Sequence, residues 1–304
     1  MRVNLEDPFL ELTEAEFLDR NNELRGGKIV YVRKCYRDIA NLIYNQNTDG
    51  TVPNAVVTGT LGIGKTTFRN FMIPFLISKL TNVAVKTDFM ICVDISPSDA
   101  NVEVLHMTYR GGLWKWNAYS CQRTSYSIFL DTHKCFVWYL VDVSQGNACN
   151  IFRNANRSVM FTCPNEKAYH DICKEKCILY YMPTWSWDES LCYNLLMQGD
   201  EEVLLQRFTK YGGISRALFA SAGIYGQYEQ NVAVALNKFD EKTHFKYVRQ
   251  ENCSTDIRHM LMYFNVTENY RNSELVWGSD HILQLVTAKF IDTNEYELDN
   301  VLDQ

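Results

Sequence analysis

An α/β fold, with a parallel sheet layered between helices, is the class this sequence predicts, and three adjacent observations predict it. Asn54-Ala-Val-Val-Thr58 is a β-branched run of the kind that forms a buried strand. Gly59 to Gly64 follows at once and carries glycine at 59, 62 and 64. Lys65 to Leu80 then has the composition of a helix. Strand, tight glycine turn and helix in immediate succession open a βα unit, and such units build parallel sheets.

The other elements extend this pattern. Residues 1–28 form a lead-in, where Thr13-Glu14-Ala15-Glu16 is a capping-box pattern and Gly26-Gly27 closes the segment. A second helix is predicted where Val32, Cys35, Tyr36, Ile39, Leu42 and Ile43 recur at three- and four-residue steps, ending at Asn47-Thr-Asp-Gly50. Pro74 predicts a kink in the helix that follows the glycine turn. Strands are expected at 83–95, 102–109, 126–130, 135–141, 159–163 and 178–182, with the stretch from 83 to 130 forming a β-rich insertion. After Trp185 the pattern turns helical. Ser186-Trp187-Asp188-Glu189 is a capping box, and Asp200 to Tyr211 is an amphipathic helix stopped by Gly212-Gly213. The expected organisation is thus a lead-in at 1–28, a core at 29–190, and a helical lid or appendage at 191–304 with an acidic tail from Asp292 to Asp303.

Composition narrows the function classes. With 304 residues, 46% apolar, the chain can bury a substantial core, and its net charge of −6 argues against a surface that grips nucleic acid all over. A local basic run at Arg20, Arg25, Lys28, Arg33, Lys34 and Arg37 fits a solvated helix face as well as a nucleic-acid contact. The start lacks the basic-then-apolar pattern of a secretory signal, and no run reaches the length of a membrane span, so a soluble, intracellular chain is expected. Its ten cysteines, scattered without close pairs, are then expected to be free thiols. Asn156, Asn252 and Asn265 match the glycosylation pattern and are expected to stay unmodified in that compartment.

Gly59-Thr60-Leu61-Gly62-Ile63-Gly64-Lys65-Thr66 fits the P-loop pattern G-x-x-x-x-G-K-[ST] at every position. Glycines let backbone N–H groups close on phosphate oxygens, and the helix N-terminus adds its positive dipole end. Lys65 is the candidate for the β- and γ-phosphates and Thr66 for a magnesium ion, with Thr67 as a backup. The simpler explanation, a glycine-rich loop with an incidental Gly-Lys-Thr, does not account for the flanking strand and helix. Magnesium also calls for a carboxylate at the end of a neighbouring apolar strand. Asp94, Asp131 and Asp142 each follow such a run, and Asp142 is chosen because its run is the longest and most continuously apolar. The next strand then offers Thr162 to the γ-phosphate. Many P-loop ATPases of the extra-strand class place Glu directly after this Asp, but Val143 and Ser144 follow here, so no catalytic base is identified.

Further segments carry a family resemblance: Tyr31-Val-Arg-Lys-Cys-Tyr36, Val57 to Lys65, Tyr139-Leu-Val-Asp142, Tyr181-Met-Pro-Thr-Trp-Ser186 and Phe208-Thr-Lys-Tyr-Gly-Gly-Ile-Ser-Arg216. Over about residues 29–290 the chain resembles the ATPase region shared by Crinkler effectors and retrotransposon hot spot (RHS) proteins. The resemblance implies a P-loop NTPase of the extra-strand, AAA/STAND-like class that binds and hydrolyses ATP with Mg2+. It also implies a host-directed effector acting in a nucleus, on host protein or nucleic acid. Arg216, in the Gly-Gly-x-x-Arg segment, takes the place of a lid residue touching the γ-phosphate, or is satisfied by the carbonyls of the preceding helix. Arg153 and Arg157 would be trans-acting fingers in a homo-oligomer, or plain surface charge. The sequence departs from the family in lacking a longer N-terminal translocation region and a nuclease segment, and in carrying Leu61 and Ser215 where the family usually has Pro.

Two weaker constellations remain. Cys163, His170, Cys173 and Cys177 lie close together, the last three expected on one helix face, and core packing explains them better than zinc. Trp114, Trp116, Tyr119 and Tyr126, interleaved with Arg110, Lys115 and Arg123, suit base stacking or a half-buried sheet. The leading functional expectation is a magnesium-dependent NTPase. The alternative is a nucleotide-gated interaction module with negligible hydrolysis.

Overall fold

A computed structural model describes residues 9–11, 29–48, 54–83, 88–94, 101–110, 113–132, 135–143, 155–164, 166–174, 176–239 and 260–302. The expected helix at 13–16, the Gly26-Gly27 stop and Arg153 lie outside the described residues. The chain divides into two compact units, one of residues 1–58 and 64–180, the other of residues 59–63 and 181–304.

The first unit begins with a short antiparallel pair, β1 (Phe9–Glu11) and β2 (Ile29–Tyr31). Its helices are α1 (Lys34–Thr48), α2 (Lys65–Val83), α3 (Arg123–Thr132) and α4 (Glu166–Lys174). The main strands are β3 (Asn54–Thr58), β4 (Phe89–Asp94), β5 (Asn101–Arg110), β6 (Leu113–Gln122), β7 (Phe136–Val143), β8 (Arg157–Thr162) and β9 (Cys177–Tyr181). They form one sheet in the order β6-β5-β4-β7-β8-β3-β9. β3, β8, β7 and β4 run parallel, whereas β5 and β6 add on antiparallel at the far edge. All six residues of β4 and of β8 are buried, as strands covered on both faces must be.

Helices cover both faces of the parallel strands. On one, Tyr44 of α1 stacks on Trp138 at 6.3 Å between ring centroids, and Phe68 of α2 meets Phe161 edge-on at 5.4 Å. On the other, Tyr126 and Leu130 of α3 and Tyr169 and Ile172 of α4 pack against Met90, Cys92, Val104, Tyr139 and Val141. α2 continues unbroken past Pro74 to Val83, and the strand expected from 83 starts only at Phe89.

The strand expected at 126–130 is instead part of α3. Tyr126 and Leu130, four residues apart, are its buried pair, while Ile128 between them is 64% exposed. A strand would have put all three on one face. The β-rich insertion is therefore the hairpin β5–β6 followed by a helix. β5 alternates between exposed and buried at its start, but β6 is largely exposed, with Trp116 at 55% and Tyr119 at 44%. Trp114 is tied down by donating its indole N–H to Thr81 Oγ1 at 2.9 Å.

The second unit holds α5 (Trp187–Leu196), α6 (Glu201–Tyr211), α7 (Ser215–Leu218), α8 (Ala222–Lys238), the hairpin β10 (Met262–Val266) and β11 (Ser273–Trp277), and α9 (Asp280–Leu302). The capping box forms as expected: Glu189 N–H donates to Ser186 Oγ, and Ser186 N–H to the Glu189 carboxylate, both at 3.1 Å. Asp200 caps α6, and Gly212 ends it at φ 60°. The β10–β11 hairpin was not expected in a helical appendage. Its strands are five residues each, and β11 alternates between partly buried and exposed positions, too brief a period-two signal to stand out. The acidic tail is helical, because α9 runs on to Leu302.

Candidate nucleotide-binding site

In the first unit, Lys65 is the first residue of α2 and Thr66 the second, at the C-terminal end of β3. Asp142 lies near the end of β7, in register with Phe161 of β8. The two sites, 76 residues apart in sequence, meet: Thr66 Oγ1 donates to Asp142 Oδ2 at 2.5 Å. This pair of exposed hard oxygens suits a small divalent cation, since Mg2+ keeps several waters and takes one or two protein oxygens.

The other candidate carboxylates are placed differently. Asp94 is in register with Val141, one residue short of Asp142, and so faces the opposite side of the sheet. It is fully buried there, accepting from Tyr139 Oη at 2.6 Å and pairing with Arg123 at 3.5 Å. Asp131 is a helical residue of α3. Thr162 follows Phe161 and so also turns to the face opposite Asp142. The residue is 1% exposed, and its hydroxyl donates to the Val143 carbonyl at 3.3 Å.

The first five residues of the P-loop pack within the second unit. Gly59 adopts φ 151° and lies so close to Met182 that an added Cβ would stand 2.6 Å from its carbonyl oxygen. Buried Thr60 accepts from the backbone N–H of Phe264 in β10 at 3.2 Å. Gly62 adopts φ 77°, and its carbonyl accepts from the Arg216 N–H at 3.0 Å and from Ser215 Oγ at 2.7 Å. The Ile63 carbonyl accepts from Trp185 Nε1 at 3.0 Å. Trp185 is held in turn by its N–H bond to Gly213 O at 2.9 Å. Gly213 must be glycine: a Cβ there would sit 1.9 Å from Trp185 O. Arg216 is thus brought to the P-loop by its backbone, with an exposed side chain. It follows the end of α6 at Tyr211 and is the second residue of the short helix α7. In the first unit, the Gly64 carbonyl accepts from Tyr36 Oη at 3.0 Å and Phe68 N at 2.9 Å. Leu61 and Thr67 are half-buried.

Sequence reasoning missed Tyr36, Trp185 and Ser215 as P-loop contacts. Their signal was present, because all three fall in the segments that carried the family resemblance.

Several secondary expectations change. Arg157 is not surface charge: it is 9% exposed, with its guanidinium over the Phe136 ring at 5.6 Å. Arg33 of the basic run is fully buried beside the Tyr36 ring, and Lys34 pairs with Asp38, so among the described residues no continuous basic face forms. Cys177 lies on β9, not on the helix bearing His170 and Cys173, and no metal-binding group of three or more His, Cys, Asp or Glu occurs among the described residues. Cys173 and Cys177 nevertheless bring their sulfurs to 3.9 Å. No described helix is long and apolar enough to cross a membrane.

No known family's sequence profile matches the chain. Among solved structures, the RuvB Holliday junction branch migration motor of Thermotoga maritima aligns with 81% of this chain and 71% of its own, at 10% identity and a TM-score of 0.37, too distant to support any argument. Among curated proteins, Crinkler effector proteins 16 and 15 of Phytophthora infestans are each 24% identical over 272 residues, 84% of this chain. Neither is a retrotransposon hot spot protein. The chain spans 39% of the length of these relatives, and its similarity to the Crinkler effectors is distant.

Proposed function

We propose that the chain binds a nucleoside triphosphate, ATP in the first instance, with Mg2+, and hydrolyses it as a P-loop NTPase of the extra-strand class. The observation that carries this reading is the 2.5 Å bond between Thr66 Oγ1 and Asp142 Oδ2, which unites the end of the P-loop with a strand-end carboxylate. The strand order supports the class, since β8 stands between the P-loop strand β3 and the Asp142 strand β7.

In this reading Gly59 to Thr66 wraps the phosphates, Lys65 neutralises the β- and γ-phosphates, and Thr66 and Asp142 hold Mg2+. The metal would offset charge on the phosphate oxygens when bound. Arg216 offers its exposed guanidinium to the phosphate chain. Thr162, buried on the face opposite Asp142 and bonded to the Val143 carbonyl, stays out of this site unless the end of β8 rearranges. The test is MgATP binding by calorimetry. No heat from the parent chain, or undiminished binding by Lys65→Ala, sinks the reading.

A second reading, a nucleotide-gated module with negligible turnover, draws on one observation: Val143, where an acid would orient the attacking water, is apolar and 3% exposed. Phosphate release unaffected by Asp142→Ala leaves this second reading alone standing. Distant likeness to Crinkler effectors adds host protein or nucleic acid as partners, action in a host nucleus, and self-association, each open to pull-down and sedimentation measurements.

A further inference from the structure

Three consecutive P-loop carbonyls each accept a side-chain hydrogen bond. Gly62 O is bound by Ser215 Oγ and the Arg216 N–H, Ile63 O by Trp185 Nε1, and Gly64 O by Tyr36 Oη. A peptide unit is planar and trans, so its C=O and the following N–H point in opposite directions. Fixing the carbonyls of 62, 63 and 64 therefore fixes the N–H groups of Ile63, Gly64 and Lys65, each directed away from its carbonyl's partner. Successive oriented N–H groups are what an anion-binding nest consists of.

We infer that Tyr36, Trp185 and Ser215 are positioning residues that set the aim of the phosphate-binding N–H groups by clamping the P-loop carbonyls. This rests on the proposed nucleotide reading and deepens it. None of the three needs to touch the nucleotide. Tyr36 and Ser215 each donate from a hydroxyl that can be deleted with little change in volume, whereas Trp185 loses its indole N–H only together with part of its buried ring. Two are well seated: Tyr36 is fully buried and stacks on Phe68 at 5.0 Å, and Trp185 is 7% exposed and anchored through Gly213. Ser215 is the first residue of α7, a position that accepts Pro readily, yet here it carries a hydroxyl, and that hydroxyl reaches Gly62 O at 2.7 Å.

The experiment compares MgATP affinity per folded molecule, by calorimetry, for the parent, Tyr36→Phe, Trp185→Phe, Ser215→Ala and Ser215→Thr, with urea unfolding of each. Removing one donor is expected to weaken MgATP about three- to tenfold, the scale of one hydrogen bond, with Tyr36→Phe and Ser215→Ala showing unfolding midpoints close to the parent. Ser215→Thr, which keeps the hydroxyl, should restore parental affinity. Ser215→Pro gives a second way to delete the hydroxyl while suiting the first turn of α7, and should match Ser215→Ala. If the parent binds MgATP and Lys65→Ala does not, yet the clamp variants bind within twofold of the parent, the clamp is refuted and the nucleotide reading stands. Affinity that falls only as the folded fraction falls, with Ser215→Thr as weak as Ser215→Ala, also overturns it. A parent that binds no MgATP removes the nucleotide reading, and the clamp with it.

Discussion

Replacing Gly62 by alanine perturbs the P-loop at a tightly packed turn. Gly62 adopts φ 77°, where a side chain costs about 1–2 kcal/mol. The new Cβ would stand 2.9 Å from Arg216 Cβ and 3.3 Å from Ile214 Cγ2. Arg216 cannot simply swing aside, because the clash is at its Cβ and its N–H is bound to the Gly62 carbonyl. Overpacking of this kind adds about 1–3 kcal/mol, so the native loop loses at least about 2 kcal/mol relative to relaxed alternatives. If the loop alone absorbs this, the binding-competent fraction drops and the apparent affinity for MgATP falls in proportion, by about thirtyfold or more at 1.4 kcal/mol per factor of ten. Calorimetric titration measures it, with thermal unfolding as the control that the fold persists. An alanine variant that binds MgATP within threefold of the parent would show that the loop geometry described here is not the binding geometry.

Other substitutions probe the same physics elsewhere. Gly226 lies inside α8 with nothing within 4 Å of an added Cβ, so Gly226→Ala should stabilise the second unit by about 0.5–1 kcal/mol in urea titration; destabilisation would mean the helix surface there is covered. Burial pushes the Cys92 thiol from 9.0 up to about 12. Between those values the unfolded thiol loses its proton and the folded one does not, so stability contributed below pH 9 is lost as pH rises, by up to about 1.4 kcal/mol per pH unit. Comparing urea midpoints from pH 8 to pH 10.5, Cys92→Ala should show a shallower decline than the parent. With sulfurs 3.9 Å apart, Cys173 and Cys177 should join when treated with glutathione disulfide, releasing two glutathione thiols; peptide mapping that finds only singly glutathionylated Cys173 or Cys192 argues the opposite.

Much of this molecule is written locally. The run Asn54 to Thr66 names its own strand, turn and helix because β-branching, glycine and the Gly-Lys-Thr ending each act over a few residues. Capping at Ser186 and Asp200, and termination at Gly212, are equally short-range. Asp142 stood out for the same reason, as the end of the longest continuous apolar run. Local pattern failed where two periods fit the same letters. Tyr126 to Leu130 has the composition of a strand, and only packing against Cys92 and Tyr139 selects the helix that buries Tyr126 and Leu130 together.

What the sequence by itself determined was the P-loop motif and which strand-end carboxylate to expect beside it. Which face each side chain takes was decided by the tertiary structure. Sheet register turned Asp142 to Thr66 and sent Asp94 and Thr162 to the other face, and one residue of offset separates these outcomes. The segments holding Tyr36, Trp185 and Ser215 stood out in the sequence, but their hold on three P-loop carbonyls did not. Those hydrogen bonds span 28, 122 and 153 residues, and their acceptors are backbone atoms that every residue carries, so no residue type announces them.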